Sequence, residues 1–165
     1  MIEIHFPHTM AAITGIWVLL RMYFWFRQKQ VFWKREVTLL LVYICIVVVT
    51  RFTFFPFARV DGIVQPLVLD TEKITHFHIN YIPLVNLMAY PDTPEAILNF
   101  VGNTAMFVPL GIVWPIAFRQ LDTHGKVIGA GALYSLLIEI FQLPFHVRVT
   151  DVDDLILNTV GFVAG

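Results

Sequence analysis

Apolar residues run through this chain in blocks of about 17 to 21 positions, the length of helix that crosses a hydrocarbon core of ~30 Å at ~1.5 Å per residue. Four blocks predict spanning helices over about 9–26, 37–57, 96–117 and 127–145. A fifth helix begins near Asp154 and has 12 residues through Gly165, enough to reach about half-way through such a core. It reads as a span truncated at the C-terminal end of the sequence. The stretch 58–95 is the one long region that does not span. Asp61-Gly62 signals a tight turn there, GIVQPLVLD is apolar enough to lie in the interface, and Tyr81, Pro83 and Tyr90 suit headgroup level. A cap over one face of the bundle is its simplest role. The fold class is therefore all-α: a polytopic transmembrane bundle of about five helices forming a single domain over 1–165.

Polar residues interrupt these blocks with a helical period. Ser135, Glu139, Gln142 and His146 fall at i, i+4, i+7 and i+11, and Asp151, Asp154, Asn158, Gly161 and Gly165 repeat the pattern in the last helix. Glu95, Asn99 and Asn103, spaced by four, stripe the outer half of the third helix. Each rod is hydrophobic except along one line, which suits lipid outside and a polar site inside. Pro109 followed by Gly111 would open the third helix near mid-membrane and free carbonyls there. Gly125, Gly129 and Ala132, with Gly131 alongside, give the fourth helix a small-residue face for close packing.

Composition agrees with the pattern. A hydrophobic content of 58% and a charged content of 14% mark an integral membrane protein. The formal charge of −1 points neither to nucleic acid nor to a polybasic membrane-surface role. Cys45, the one cysteine, sits in an apolar run and has no partner for an internal disulfide. No basic residue precedes the first apolar run and no small-residue cleavage site follows it, so a cleaved signal peptide is not expected. No internal repeat is visible.

Charge sets an expected orientation, because short loops rich in Lys and Arg stay in the cytoplasm. Arg27, Lys29, Lys34, Arg35, Arg119 and Lys126 lie on one side, against Arg59, Lys73 and Arg148 on the other. The N-terminus is thus expected outside, and so are 58–95 and the turn 146–153. Two arginines fall within spans. Arg21, about a turn from the cytoplasmic end, is expected to snorkel to the headgroups. Arg51, just before FTFFPF, either snorkels outward or pairs with an outer carboxylate.

The polar stripes then meet at one level of the outer leaflet. Glu139 is the sharpest position: a carboxylate four to six residues inside a helix end costs ~2.5–3.5 kcal/mol to bury ionised, so it is expected to be protonated, paired or both. Glu139 and Asp154 are the candidate acid–base pair. The competing reading makes Glu139 an interhelical lock, bonded to Arg148 or to the amides of Asn103 and Asn158. Arg148 stands among acids in VRVTDVDD and either receives an anionic ligand group or fixes the turn through Asp151. Thr150-Asp151 and Asp153-Asp154 make a good helix start. Arg148, Asp151, Gln142, Asn99, Asn103 and Asn158 are the candidate ligand-binding residues. His76 and His78 alternate as a metal pair would, but no close-spaced Cys/His set or HExxH accompanies them, so neither a metal nor a cofactor is expected. Ser135 lacks a histidine at suitable spacing and is no convincing nucleophile.

Taken together, Asn99-x-x-x-Asn103-x-x-x-Phe107-x-Pro109-x-Gly111, Ser135-x-x-x-Glu139-x-x-Gln142 and Arg148-x-x-Asp151-x-x-Asp154-x-x-x-Asn158-x-x-Gly161 resemble the signature of the VanZ-like membrane proteins. Asn80-Tyr81-Ile82-Pro83-Leu84 is similar to that family's Asn-Leu-Ile-Pro-Phe element, with Tyr81 and Leu84 as departures. The likeness covers roughly residues 76 to 165, and the first two helices agree only in hydropathy. The resemblance implies a small bacterial inner-membrane protein linked to resistance against teicoplanin and related lipoglycopeptides, with no mechanism established for the family. The leading expectation is an outer-leaflet pocket that binds or modifies an envelope lipid, a cell-wall precursor or a lipid-tailed drug. A scaffold that only locks helices or recruits partners is the alternative. A proton-coupled transporter fits less well, because the acids cluster at one depth and polar residues are nearly absent from the inner half of the last three helices.

Overall fold

The computed structural model describes residues 2–55, 59–60, 62–70, 79–80, 82–83, 94–145 and 150–165. Five helices are present among them: α1 (Phe6–Gln28), α2 (Trp33–Phe54), α3 (Pro94–Ala117), α4 (His124–Gln142) and α5 (Val152–Ala164). Four of these, α1 to α4, are long and apolar enough to cross a membrane. The expected all-α bundle is what forms, with helix ends shifted by a few residues.

Local chemistry sets those ends. Pro7 lies in the first turn of α1, where a missing N–H costs nothing, and Lys29 closes the helix in the left-handed region at φ 52° with its N–H donated to the Trp25 carbonyl. The Thr123 hydroxyl caps α4 by accepting the Lys126 N–H at 3.4 Å. α4 stops at Gln142 rather than 145 because Pro144 has no N–H to extend the ladder, and Phe145 bridges to Leu69 instead. The Asp151 carboxylate caps α5 by accepting the Asp153 N–H at 2.9 Å, with Asp153 and Asp154 at the positive end of the helix dipole.

The centre of the bundle is where α3 and α5 touch backbone to backbone. A Cβ on Gly161 would stand 2.0 Å from the Thr104 carbonyl oxygen, and one on Gly111 would stand 1.9 Å from that of Phe162. Glycine is the residue this approach requires. Val49 of α2, Phe107 and Leu110 of α3, Ile138 of α4 and Phe162 of α5 pack into the core beside it. Trp114 stacks edge-on against Phe162 at 5.4 Å between ring centroids. α1 lies outside this core and packs chiefly on α2, through a Thr14–Tyr43 hydroxyl pair at 2.6 Å and Trp17 against the Tyr43 ring.

Several expectations are corrected. α3 runs unbroken through Pro109, and the Pro109–Gly111 segment receives the backbone of α5 rather than opening to a cavity. On α4, Gly125 and Gly129 face open space and only Gly131 is in close contact, beneath the Phe162 ring. The reason is angular: at 100° per residue Gly131 lies one turn below Ser135 on the polar stripe, while Gly125 and Gly129 lie on another face. Arg21 does not snorkel. It is buried and makes a two-pronged pair with Glu36, which the antiparallel α1–α2 turn sets across from it. Arg51 is not among these corrections: it donates to the Phe55 carbonyl at 3.2 Å and lies over the Phe6 and Phe52 rings.

Short strands that the apolar pattern did not predict lie before α1, between α2 and α3, and before α5. β1 (Ile2–Ile4) pairs antiparallel with β4 (Leu67–Leu69), in register Ile2 to Leu69. β2 (Arg59–Val60) and β3 (Ile63–Val64) form a hairpin, and β5 (Ile79–Asn80) pairs in parallel with β6 (Thr150–Asp151). Buried Phe55, Leu67 and Phe145 seat β4 on the ends of α2 and α4.

Candidate functional site

At the end of the bundle formed by the last turns of α2 and α4 and the first turns of α3 and α5, polar side chains surround a cavity of about 290 Å³. Its walls include Asn99 and Asn103 from α3, Glu139 and Gln142 from α4, and Asp154 and Asn158 from α5. Six of the eight residues singled out from the sequence thus converge. Asp151 sits behind the wall in the turn that starts α5, and Arg148 lies outside the described residues, as do His76, His78 and His146.

The walls are held by bonds that cross between helices. Glu139, only 3% exposed, accepts the Asp151 N–H at 3.1 Å, and its own carbonyl accepts the Thr150 hydroxyl at 3.1 Å. The carboxylate therefore pins the start of α5 to the last turn of α4. Asp154 accepts from the Asn103 amide, joining α5 to α3. Asn158 donates to Ser135 at 3.0 Å, and Gln142 donates to the Thr53 carbonyl at 2.6 Å, joining α4 to α2. The bonds from Asn103 and Asn158 to Glu139 that the lock reading offered do not form: each amide serves another partner, and a backbone N–H takes their place.

Two acceptors are left over. The amide oxygens of Gln142 and Asn158 are buried and have no hydrogen-bond partner among the described residues, in residues that line the cavity. A buried acceptor without a donor costs roughly 1–3 kcal/mol, so a donor reaching either oxygen would be stabilising. With two carboxylates, two orphan amide oxygens and no Lys, Arg or His among the lining residues, the described walls suit a ligand rich in hydroxyl, amide or ammonium donors.

Sequence reasoning missed Asn80 as a site residue, although it stands in the quoted Asn80–Leu84 element. Its amide donates to both oxygens of Asp151, at 3.2 and 3.1 Å, so the cap region holds the residue that caps α5. It also missed Leu98, Gly102 and Met106, which complete the α3 wall. Their spacing with Asn99 and Asn103 describes one helical face and could have revealed them.

A sequence model of the VanZ/LLP1 family matches residues 39–165, which is most of the chain. The chain belongs to the VanZ/LLP1 family. The matched region holds every wall of the cavity and leaves out α1 and the first turns of α2. The chain is also similar to Protein VanZ of Enterococcus faecium, at 33% identity over 67 residues. That match covers 41% of this chain and 41% of the length of that relative. No solved structure matches. With four apolar helices of spanning length and VanZ/LLP1 membership, this is a multi-pass membrane protein.

Proposed function

We propose that this VanZ/LLP1 chain binds the polar head of an envelope lipid, a cell-wall precursor or a lipoglycopeptide in the cavity between α2, α3, α4 and α5. Resistance to teicoplanin-type drugs, which the family resemblance implies, would follow from that binding. The observation that carries the reading is the pair of buried amide oxygens of Gln142 and Asn158, unpartnered among the described residues, in side chains that line an acid-bearing cavity. Sugar hydroxyls, peptide N–H groups and amino groups are the donors such a cavity accepts. Asn99, exposed on the wall, would meet the ligand first. Arg148 as the contact to an anionic group, with Asp151 beside it, belongs to the same proposal and rests on its place in the sequence. The proposed setting is the bacterial cytoplasmic membrane, N-terminus outside and cavity in the outer leaflet; the cations gathered at the opposite end of the bundle support that orientation.

Binding is favoured over catalysis because Glu139 is engaged by a backbone N–H that its Gln analogue can also satisfy. A catalytic version would use Glu139 and Asp154 as acid and base. A scaffold reading draws on the same bonds, since Asn103–Asp154, Asn158–Ser135 and Gln142–Thr53 each join two helices.

One substitution separates these readings. Gly102 lines the cavity, and a Cβ there would meet nothing within 4 Å. Gly102→Leu therefore fills the cavity without touching an interhelical bond. In a teicoplanin-sensitive Gram-positive host, wild type should raise the inhibitory concentration, Gly102→Leu should abolish the gain at equal expression, and Glu139→Gln should keep most of it. Full resistance from Gly102→Leu would sink the pocket in favour of a scaffold. Loss by orders of magnitude in folded Glu139→Gln would move the function to acid–base chemistry.

A further inference from the structure

At the other end of the bundle, the start of α2 and the end of α3 diverge around a second, larger cleft of about 600 Å³. Lys34 and Arg35 from the first turn of α2 and Arg119 just beyond α3 line it, together with Phe32, Ile116 and Phe118. No carboxylate is among its lining residues. The two acids described at this end are already neutralised, Glu36 by Arg21 and Asp122 by Lys126 at 2.6 Å. Lys34, Arg35 and Arg119 are exposed, and their side chains make no ion pair among the described residues. Phe32 caps α2 without a side-chain acceptor, and it and Trp33 stand 56% and 76% exposed at the level where aromatic residues meet headgroups.

This arrangement joins three unpaired cations to an apolar lining at a membrane boundary. Two arginines can each grip a phosphate with two parallel N–H bonds, and the lysine adds a third charge. A free anion in water has no use for Phe32, Ile116 and Phe118, whereas the glycerol backbone and upper acyl chains of a lipid would cover them. We propose that the α2–α3 cleft binds the phosphate-bearing headgroup of an anionic membrane lipid. It is a second lipid site, at the opposite end from the carboxylate cavity and of opposite charge, and it stands whether or not that cavity binds the proposed ligands.

The test uses the purified full chain and native mass spectrometry to count retained lipid after exposure to phosphatidylglycerol or phosphatidylcholine. Wild type should retain phosphatidylglycerol at least about tenfold better than phosphatidylcholine. Lys34→Gln/Arg35→Gln/Arg119→Gln should lose about tenfold of that retention. The control Arg27→Gln/Lys29→Gln removes charge from the same end but outside the cleft and leaves the Lys126–Asp122 pair intact, and should change retention by less than about twofold. Equal losses in both variants would overturn the proposal, since attraction would then be diffuse. So would inorganic phosphate raising the melting temperature as much as phosphatidylglycerol does. Should the triple variant not fold, Arg119→Gln alone carries the test: a drop of about threefold or more supports the cleft, and no drop overturns it.

Discussion

At the cavity end, Glu139 is buried against the Asp151 N–H and Asp154 accepts the Asn103 amide, whereas at the opposite end Lys34, Arg35 and Arg119 are exposed and make no ion pair among the described residues. Among the described residues, the chain supplies donors for the acids it buries and leaves these three cations to be satisfied by something else. That difference separates two kinds of site. Around the cavity, the side chains proposed to meet a ligand also bond the helices together, so the proposed function and stability are entangled. At the basic end the side chains proposed to meet a lipid are exposed and make no ion pair among the described residues, so they should do little for the fold. Lys126 pairs with Asp122 at the surface there, and Arg21 and Glu36 are the buried exception, withdrawn from the surface and satisfying each other.

The exception gives the largest predicted effect. Arg21→Leu strands Glu36, whose side chain is only 12% exposed, and should cost about 3 kcal/mol of stability. The double variant Arg21→Leu/Glu36→Leu should recover most of it. Denaturation in detergent or nanodiscs measures both, and an Arg21→Leu protein as stable as wild type would return Arg21 to the role of a headgroup contact. Next comes Asn103→Leu, which removes the α3 donor to Asp154 and should cost about 2 kcal/mol while weakening ligand binding at the cavity. If stability falls and binding does not, the cavity end is a lock alone.

Gly161→Ala should cost about 1–3 kcal/mol by pushing a methyl group into the Thr104 carbonyl and parting α3 from α5. Its effect should reach the cavity, because Asp154 and Asn158 ride on α5, but leave lipid retention at the basic cleft within about twofold of wild type. The smallest effect belongs to Lys34→Gln, expected to change stability in phosphatidylcholine nanodiscs by less than about 0.5 kcal/mol. A large loss there would mean that the basic end also builds the fold.

The bundle was legible because span length and stripe period are properties of single segments. Glu139, Gln142, Asp154, Asn158, Asn99 and Asn103 were found by that period, and the cavity gathers all six. Which of them bond to one another was not legible. Glu139 and Asp154 each had several donors within reach in sequence terms, and the choice of Asp151 N–H for one and Asn103 for the other depends on how α3 and α5 are rotated. That rotation is set by Gly111 and Gly161, which sequence reading had placed in a proline-opened segment and a polar stripe. The Arg21–Glu36 pair was hidden for a similar reason, since depth alone suggested snorkelling and the partner lies across a turn. The short strand pairs escaped because two or three residues carry no readable alternation, and β1 acquires its partner from Leu67–Leu69, far along the chain.

The central claim is that the cavity between α2, α3, α4 and α5 is a ligand site, and its occupancy can be measured directly. Wild-type protein and Gly102→Leu, in nanodiscs of one composition, are titrated in parallel with teicoplanin and with a lipid-linked cell-wall precursor. The account predicts saturable binding of at least one of them to wild type, weakened about tenfold or more by Gly102→Leu at unchanged melting temperature. Equal affinities for the two proteins, or binding to neither, would contradict it.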